Sequence, residues 1–156
     1  MNRMLIKMGM AAAVGSLLIS NATFSQVLPP AKRAAHVEIK QGPTLESATD
    51  DLVIVRWTSN NPGGSDDHYG VVHYGTDPKQ LNQTAKSHVR LNQEHPETIF
   101  RVRLDGLSPR TTYYYTVDSM EGNGKSDEVK SPVNRFTTPD TGQRVENYPP
   151  PSTQPK

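Results

Sequence analysis

The sequence predicts an all-β domain, a sandwich of about seven short antiparallel strands. Three observations carry the expectation. Apolar residues alternate with period two along the central chain. Turn residues interrupt that alternation roughly every ten positions. No apolar stripe of helical period and useful length is present.

The elements follow in order. His36–Lys40 is expected to open the domain, with Val37 and Ile39 on one face. Leu52–Thr58 (LVIVRWT) is the clearest strand: if Trp57 faces the core, Val55 and Val53 do too, leaving Ile54 and Arg56 outside. Asn60–Asp67 (NNPGGSDD) is a loop dense in turn residues. Tyr69–Tyr74 (YGVVHY) is the next strand, closed by Gly75-Thr76-Asp77-Pro78. With Val72 and Tyr74 inward, Tyr69, Val71 and His73 point out. Gln83–Val89 reads as a short edge strand.

Ile99–Leu104 (IFRVRL) turns Phe100, Val102 and Leu104 inward and Arg101 and Arg103 outward. Asp105-Gly106-Leu107-Ser108-Pro109 makes a turn into Thr112–Asp118 (TYYYTVD). Glu121–Lys125 (EGNGK) marks a tip, and Val133–Thr137 (VNRFT) is the expected last strand.

The ends read differently. Arg3 and Lys7 precede a 12-residue apolar run, Met8–Ile19, followed by small and polar residues. This is the layout of a secretory signal peptide, and the run is too short to span a bilayer. Cleavage is expected after Ser25 (with Thr23) or after Ala22 (with Ser20), so residues 1–25 are assigned as leader and 26–35 as a flexible lead-in. Residues 36–138 form the domain. The last 18 residues, from Pro139, hold five prolines and one aliphatic residue, Val145, and are expected to be a disordered or extended tail.

The chain carries 17 Lys and Arg against 16 Asp and Glu. The leader takes two of the positive charges, so 15 face 16 in the mature chain, with no clustered basic excess of the kind a nucleic-acid binder shows. There is no cysteine, which excludes disulfides, thiolate metal sites and a lipidated cysteine.

The stretch Leu104–Val117 (LDGLSPRTTYYYTV) resembles the E–F corner of fibronectin type III domains, whose Leu-x-Pro-x-Thr-x-Tyr element is matched here by Leu107, Pro109, Thr111 and Tyr113. Trp57 matches the usual second-strand tryptophan. The resemblance implies an immunoglobulin-like sandwich in which Tyr113 buries its ring and its hydroxyl bonds backbone just upstream, a tyrosine corner. VVHYGTDPKQL (Val71–Leu81) with FRVRLDGLSPRTTYYYTV (Phe100–Val117) is similar to the N-terminal fibronectin-like domain of purple acid phosphatases. That likeness covers Ala48–Pro139. In that family a second, larger domain hydrolyses phosphomonoesters with two metal ions, which implies a catalytic phosphatase domain as a partner. The family's metal-binding blocks, similar to G-D-x-x-Y, G-N-H-D/E and G-H-x-H, are absent from this sequence. The resemblance therefore implies no catalytic residue, metal ligand or cofactor here.

The residues themselves agree. Asp66, Asp67, His68, His73, His88 and His95 are the candidates for a metal site, but a hydrolytic centre needs converging ligands, and His68 and His73 would face opposite sides of one strand. They are read as surface histidines. No Gly-x-Ser-x-Gly element is present to position a serine nucleophile, and Gly63-Gly64-Ser65-Asp66-Asp67 lacks the Lys-Ser/Thr and helix of a phosphate loop. Asn82-Gln83-Thr84 matches the glycosylation pattern.

Two surfaces remain. Arg56, Arg101 and Arg103, beside Ile54, line one sheet face. They suit an acidic polymer or partner carboxylates, or form a solvated face balanced by Glu38 or other acids. On the opposite sheet Tyr69, His73 and Tyr114, with Val71 and Thr116, offer aromatic docking surface, or simply cross-strand pairs that stabilise the sheet. The second surface is the preferred binding site. The expected protein is an exported, periplasmic or extracellular, non-catalytic module for a protein or polysaccharide of the cell envelope, with no nucleic acid and no membrane span after cleavage. The alternative is an accessory domain beside a phosphatase.

Overall fold

The computed structural model describes residues 33–62, 64–91 and 94–146. The leader, most of the lead-in and the chain beyond 146 lie outside the described residues. The described residues form nine strands: β1 (Ile39–Thr49), β2 (Leu52–Asn60), β3 (Asp67–Gly75), β4 (Gln83–Arg90), β5 (Glu97–Asp105), β6 (Thr112–Glu121), β7 (Ser126–Lys130), β8 (Asn134–Thr137) and β9 (Arg144–Glu146). They form two antiparallel sheets. One has the order β5-β2-β1-β9; the other runs β4-β3-β6-β7, with β8 also paired to β6. The result is an all-β, fibronectin type III-like sandwich.

Alternation decides which residues close it. On β2, Val53, Val55 and Trp57 are buried; on β5, Phe100, Val102 and Leu104 are buried while Arg101 and Arg103 stay exposed. Trp57 and Phe100 face each other across the β2–β5 ladder and stack at 5.1 Å between ring centroids. From the other sheet come Val72 and Tyr74 on β3 and Tyr113, Tyr115 and Val117 on β6, with Phe136 of β8 stacked on Tyr113 at 5.6 Å. Tyr115 is buried so deeply that its hydroxyl pKa is raised above the ordinary phenol value. These six aromatic rings bury large apolar area at modest entropic cost.

The expected tyrosine corner is present. The Ser108 backbone N–H donates to Tyr113 Oη at 3.0 Å, and Leu107 is buried beneath the turn. Pro109 sits at the exposed outside of the same corner.

The first strand differs from expectation. It is not His36–Lys40 but Ile39–Thr49, eleven residues that run through Gly42 and Pro43. Those two residues look like strand breakers. They are tolerated because the β1–β2 register shifts between Gln41 and Thr44, so the ladder skips the position where proline has no N–H to give. Gly42 takes φ +83°, which suits glycine alone.

The far end of the second sheet also differs. β7 was not expected; its only aliphatic residue is Val129. β7 and β8 together cover one side of β6, separated at Ser131-Pro132-Val133. Ser131 holds the join, its hydroxyl accepting from Val117 N–H at 3.0 Å and its N–H donating to Val117 O at 2.9 Å. β9 lies inside the expected tail. Residues 144–146 pair with Thr49, Ala48 and Ser47 of β1, which sets Val145 opposite Ala48.

Among the described residues no helix is long and apolar enough to cross a membrane.

Candidate functional site

The outer face of the five-stranded sheet is built from β3 and its two neighbours. Register sets the neighbours: His73 lies between Thr84 of β4 and Thr116 of β6, Val71 between Lys86 and Asp118, and Tyr69 between His88 and Met120. The half-buried His73 ring is held at both nitrogens. Nε2 lies 3.1 Å from Asp118 Oδ2 and Nδ1 3.1 Å from Thr84 Oγ1. With Asp118 ionised, Nε2–H donates to the carboxylate, which leaves Nδ1 to accept from the threonine hydroxyl. Burial raises the Asp118 pKa above the ordinary aspartate value, while the His73 charge and hydrogen bond, and then the charges of Lys130 and Lys86, pull it back down.

A second pair flanks this one. Tyr69 meets the His88 ring edge-on at 5.4 Å, and His88 Nε2 lies 3.1 Å from Asp67 Oδ1. The face therefore carries a line of oriented polar groups, with one aromatic ring standing among them.

The expected members of this surface are not all together. Tyr69 and His73 share the face, two residues apart along it. Tyr114 is on the same sheet but pairs with Gly75 and Arg135, at the opposite end of the strand pairing from Tyr69. Val71 belongs to the face by alternation yet is fully buried, and Thr116 is buried too, so neither is docking surface. Asp118, Thr84 and His88 complete the arrangement; the sequence offers His88 only as a candidate metal ligand and Thr84 only within a glycosylation pattern, and it does not mark Asp118. They are brought to His73 and Tyr69 by strand register alone.

The order acid, imidazole, hydroxyl is that of a hydrolytic relay. Its setting is a sheet face: the three groups lie across it, and two well-defined cavities among the described residues are lined by other side chains. The arrangement presents fixed donors and acceptors to a surface ligand.

The candidate metal ligands are dispersed. His73 goes to Asp118, His88 to Asp67 and Asp66 to Arg33. His68 is not on the surface and not in a loop. It sits on β3, fully buried, with Nε2 3.4 Å from Asp127 Oδ1, and Asp127 in turn accepts from Ser119 Oγ at 2.7 Å. Among the described residues no group of three or more His, Asp or Glu side chains is placed to hold a metal ion. The residues present do not fit a dinuclear centre.

On the four-stranded sheet, Arg56 and Arg101 are directly paired across β2 and β5. Glu46, on the neighbouring β1, reaches both: Oε2 accepts from Arg101 Nε at 2.6 Å and lies 3.9 Å from Arg56 Nε. Arg103 donates to Asp105 at 2.6 Å. The balancing acid is Glu46 rather than Glu38, which pairs with Lys40.

The family model described as the purple acid phosphatase N-terminal domain matches residues 41–138. An acid phosphatase of Aspergillus ficuum is 30% identical over 76 residues, a match covering 41% of this chain and 12% of that protein. The chain thus spans only a small part of that relative's length. Among solved structures, the sensor domain of an anti-sigma factor in Pseudobacteroides cellulosolvens superposes with a TM-score of 0.48 at 16% identity, over 69% of this chain and 93% of that one. The third fibronectin III domain of a human protein gives a TM-score of 0.33 at 16% identity, over 80% and 95% of the two chains.

Proposed function

The chain belongs to the purple acid phosphatase N-terminal domain family, and from that premise we propose that it is an exported, non-catalytic module that binds a protein or polysaccharide of the cell envelope. The binding surface is the outer face of the five-stranded sheet, centred on Tyr69 and His73. One observation supports this most: the His73 ring is fixed between Thr84 and Asp118, and the Tyr69 ring stands beside it against His88. Polar groups held in place and a rigid aromatic ring recognise sugars or a partner surface without a large ordering cost.

The test is a panel of envelope glycans and proteins, measured by calorimetry against wild type, Tyr69→Ala and Tyr114→Ala. Tyr69→Ala is expected to weaken any ligand found about tenfold or more, the scale of a binding hot spot. Tyr114→Ala, six register positions away, is expected to do less. A ligand whose affinity neither substitution changes overturns the assignment of the face. Export has its own check. N-terminal sequencing of the mature protein is expected to begin at Gln26 or at Thr23.

A second reading is an accessory role beside a separate catalytic phosphatase domain. The named activity of the Aspergillus ficuum relative favours it, since the chain matches only 12% of that protein. Turnover of a chromogenic phosphomonoester by the purified chain with iron, zinc or manganese would instead make this an enzyme.

A further inference from the structure

The arginines of the four-stranded sheet are not equivalent, and the difference marks a second site. Arg101 and Arg103 are satisfied by Glu46 and Asp105. Arg56 is held more loosely: Glu46 faces it as an ion pair at 3.9 Å, but its Nε makes no hydrogen bond and Glu46 Oε2 is bonded to Arg101. Arg56 instead borders a cavity of about 470 Å³ that opens between β2, β5 and the end of β4. Arg90 borders the same cavity and is exposed; its cross-strand neighbour Asp67 is engaged by His88. The opposing charge at the rim is Glu97.

Gln41, Thr58, His95 and Thr98 also line the cavity, but most of the surface it exposes is apolar. Val89 and Pro96 line the cavity, and Ile99 borders it, 44% exposed, one of two large hydrophobic side chains left open to solvent among the described residues. An apolar floor between two guanidiniums suits a ligand that carries an apolar group flanked by carboxylates. Planar guanidinium forks bind carboxylates in bidentate fashion, and the volume is within the range of about 300–1,000 Å³ that holds a small ligand or a few side chains. We infer that this groove is a docking site for an acidic peptide segment of a partner protein, with one apolar side chain seated against Ile99 and its flanking carboxylates on Arg56 and Arg90. The site lies where the end of β4 meets β2 and β5 of the other sheet, and Tyr69 and His73 do not line it.

The experiment uses the mature chain and a library of fluorescein-labelled heptapeptides carrying Asp or Glu around a central Leu, Ile, Val or Phe, read by anisotropy. Saturable binding is expected for some members. It should weaken as sodium chloride rises from about 50 to about 300 mM. It should also weaken about tenfold or more in Arg90→Gln and in Ile99→Ser, two exposed positions, with a cooperative thermal melt of each variant showing that it is folded. Arg56→Gln should match them, and Tyr69→Ala should leave binding as in wild type. The proposal is overturned if no peptide saturates, if the glutamine and asparagine versions bind as well, if Arg90→Gln and Ile99→Ser both bind like wild type, or if only an oligogalacturonate probe binds.

Discussion

Ser108 and Tyr113 are locked to each other across the turn that joins the two sheets: the serine N–H donates to the tyrosine Oη at 3.0 Å, while the ring packs on Phe136 and Tyr74. One side chain thus fixes a turn and fills the core. The two roles separate by mutation. Tyr113→Phe keeps the ring and removes the hydroxyl, and is expected to cost about 1 kcal/mol. Tyr113→Ala removes both and is expected to cost about 3–5 kcal/mol. Urea denaturation of the three proteins checks this. Equal losses for both variants would mean that the hydroxyl, not the ring, dominates.

Gly70 sets how closely β3 approaches the Trp57–Phe100 stack. A Cβ there would sit 2.9 Å from Phe100 Cδ1 and 2.9 Å from the Trp57 ring, closer than side-chain contacts allow. Gly70→Ala is therefore expected to destabilise by about 1–3 kcal/mol, the cost of overpacking a closed core. In the Phe100→Leu background the same change should cost less, because the leucine leaves room. A double-mutant cycle that shows strict additivity would place the strain elsewhere.

The parts of this fold that were legible in the sequence are those that local rules decide. Period-two alternation orients Trp57, Val102 and Leu104 whatever their partners are. The tyrosine corner closes within five residues, Ser108 to Tyr113. What was not legible depends on register between distant segments. β1 runs through Gly42-Pro43 because β2 shifts opposite it, which no reading of β1 alone reveals. β9 is strand only because Ser47–Thr49 offers a free edge. The candidate face shows the same limit. Asp118 lies 45 residues from His73 in sequence, and only the β3–β6 pairing brings them together. Tyr114 and Tyr69 lie on two strands that do pair, as the sequence predicts, but the register sets them at opposite ends of that pairing.

Glu46 holds two like charges side by side, since Arg56 and Arg101 are direct cross-strand partners. Exposed pairs of this kind contribute about 0–1 kcal/mol, so Glu46→Gln is expected to lower stability by no more than about 1 kcal/mol, and by less in high salt. Thermal melts at low and high sodium chloride check both. A large, salt-independent loss would mean that Glu46 acts through packing at the β1 bulge.

Asp118 gives the domain a pH dependence whose sign can be worked out. Burial is the leading influence and raises its pKa above the ordinary 3.8, against the smaller opposing pull of His73, Lys130 and Lys86. A carboxyl whose pKa is raised on folding binds its proton more tightly in the native state than in the unfolded chain. Its contribution to stability is therefore fully present below the unfolded value and is lost as pH rises through the folded one. Asp118→Asn stays neutral throughout and should not suffer that loss. Stability of Asp118→Asn relative to wild type is accordingly expected to rise between about pH 3 and about pH 7, measured by urea denaturation at each pH. If the difference falls instead, the ion pair with His73 outweighs burial, and the carboxylate is held ionised as the working partner of the imidazole.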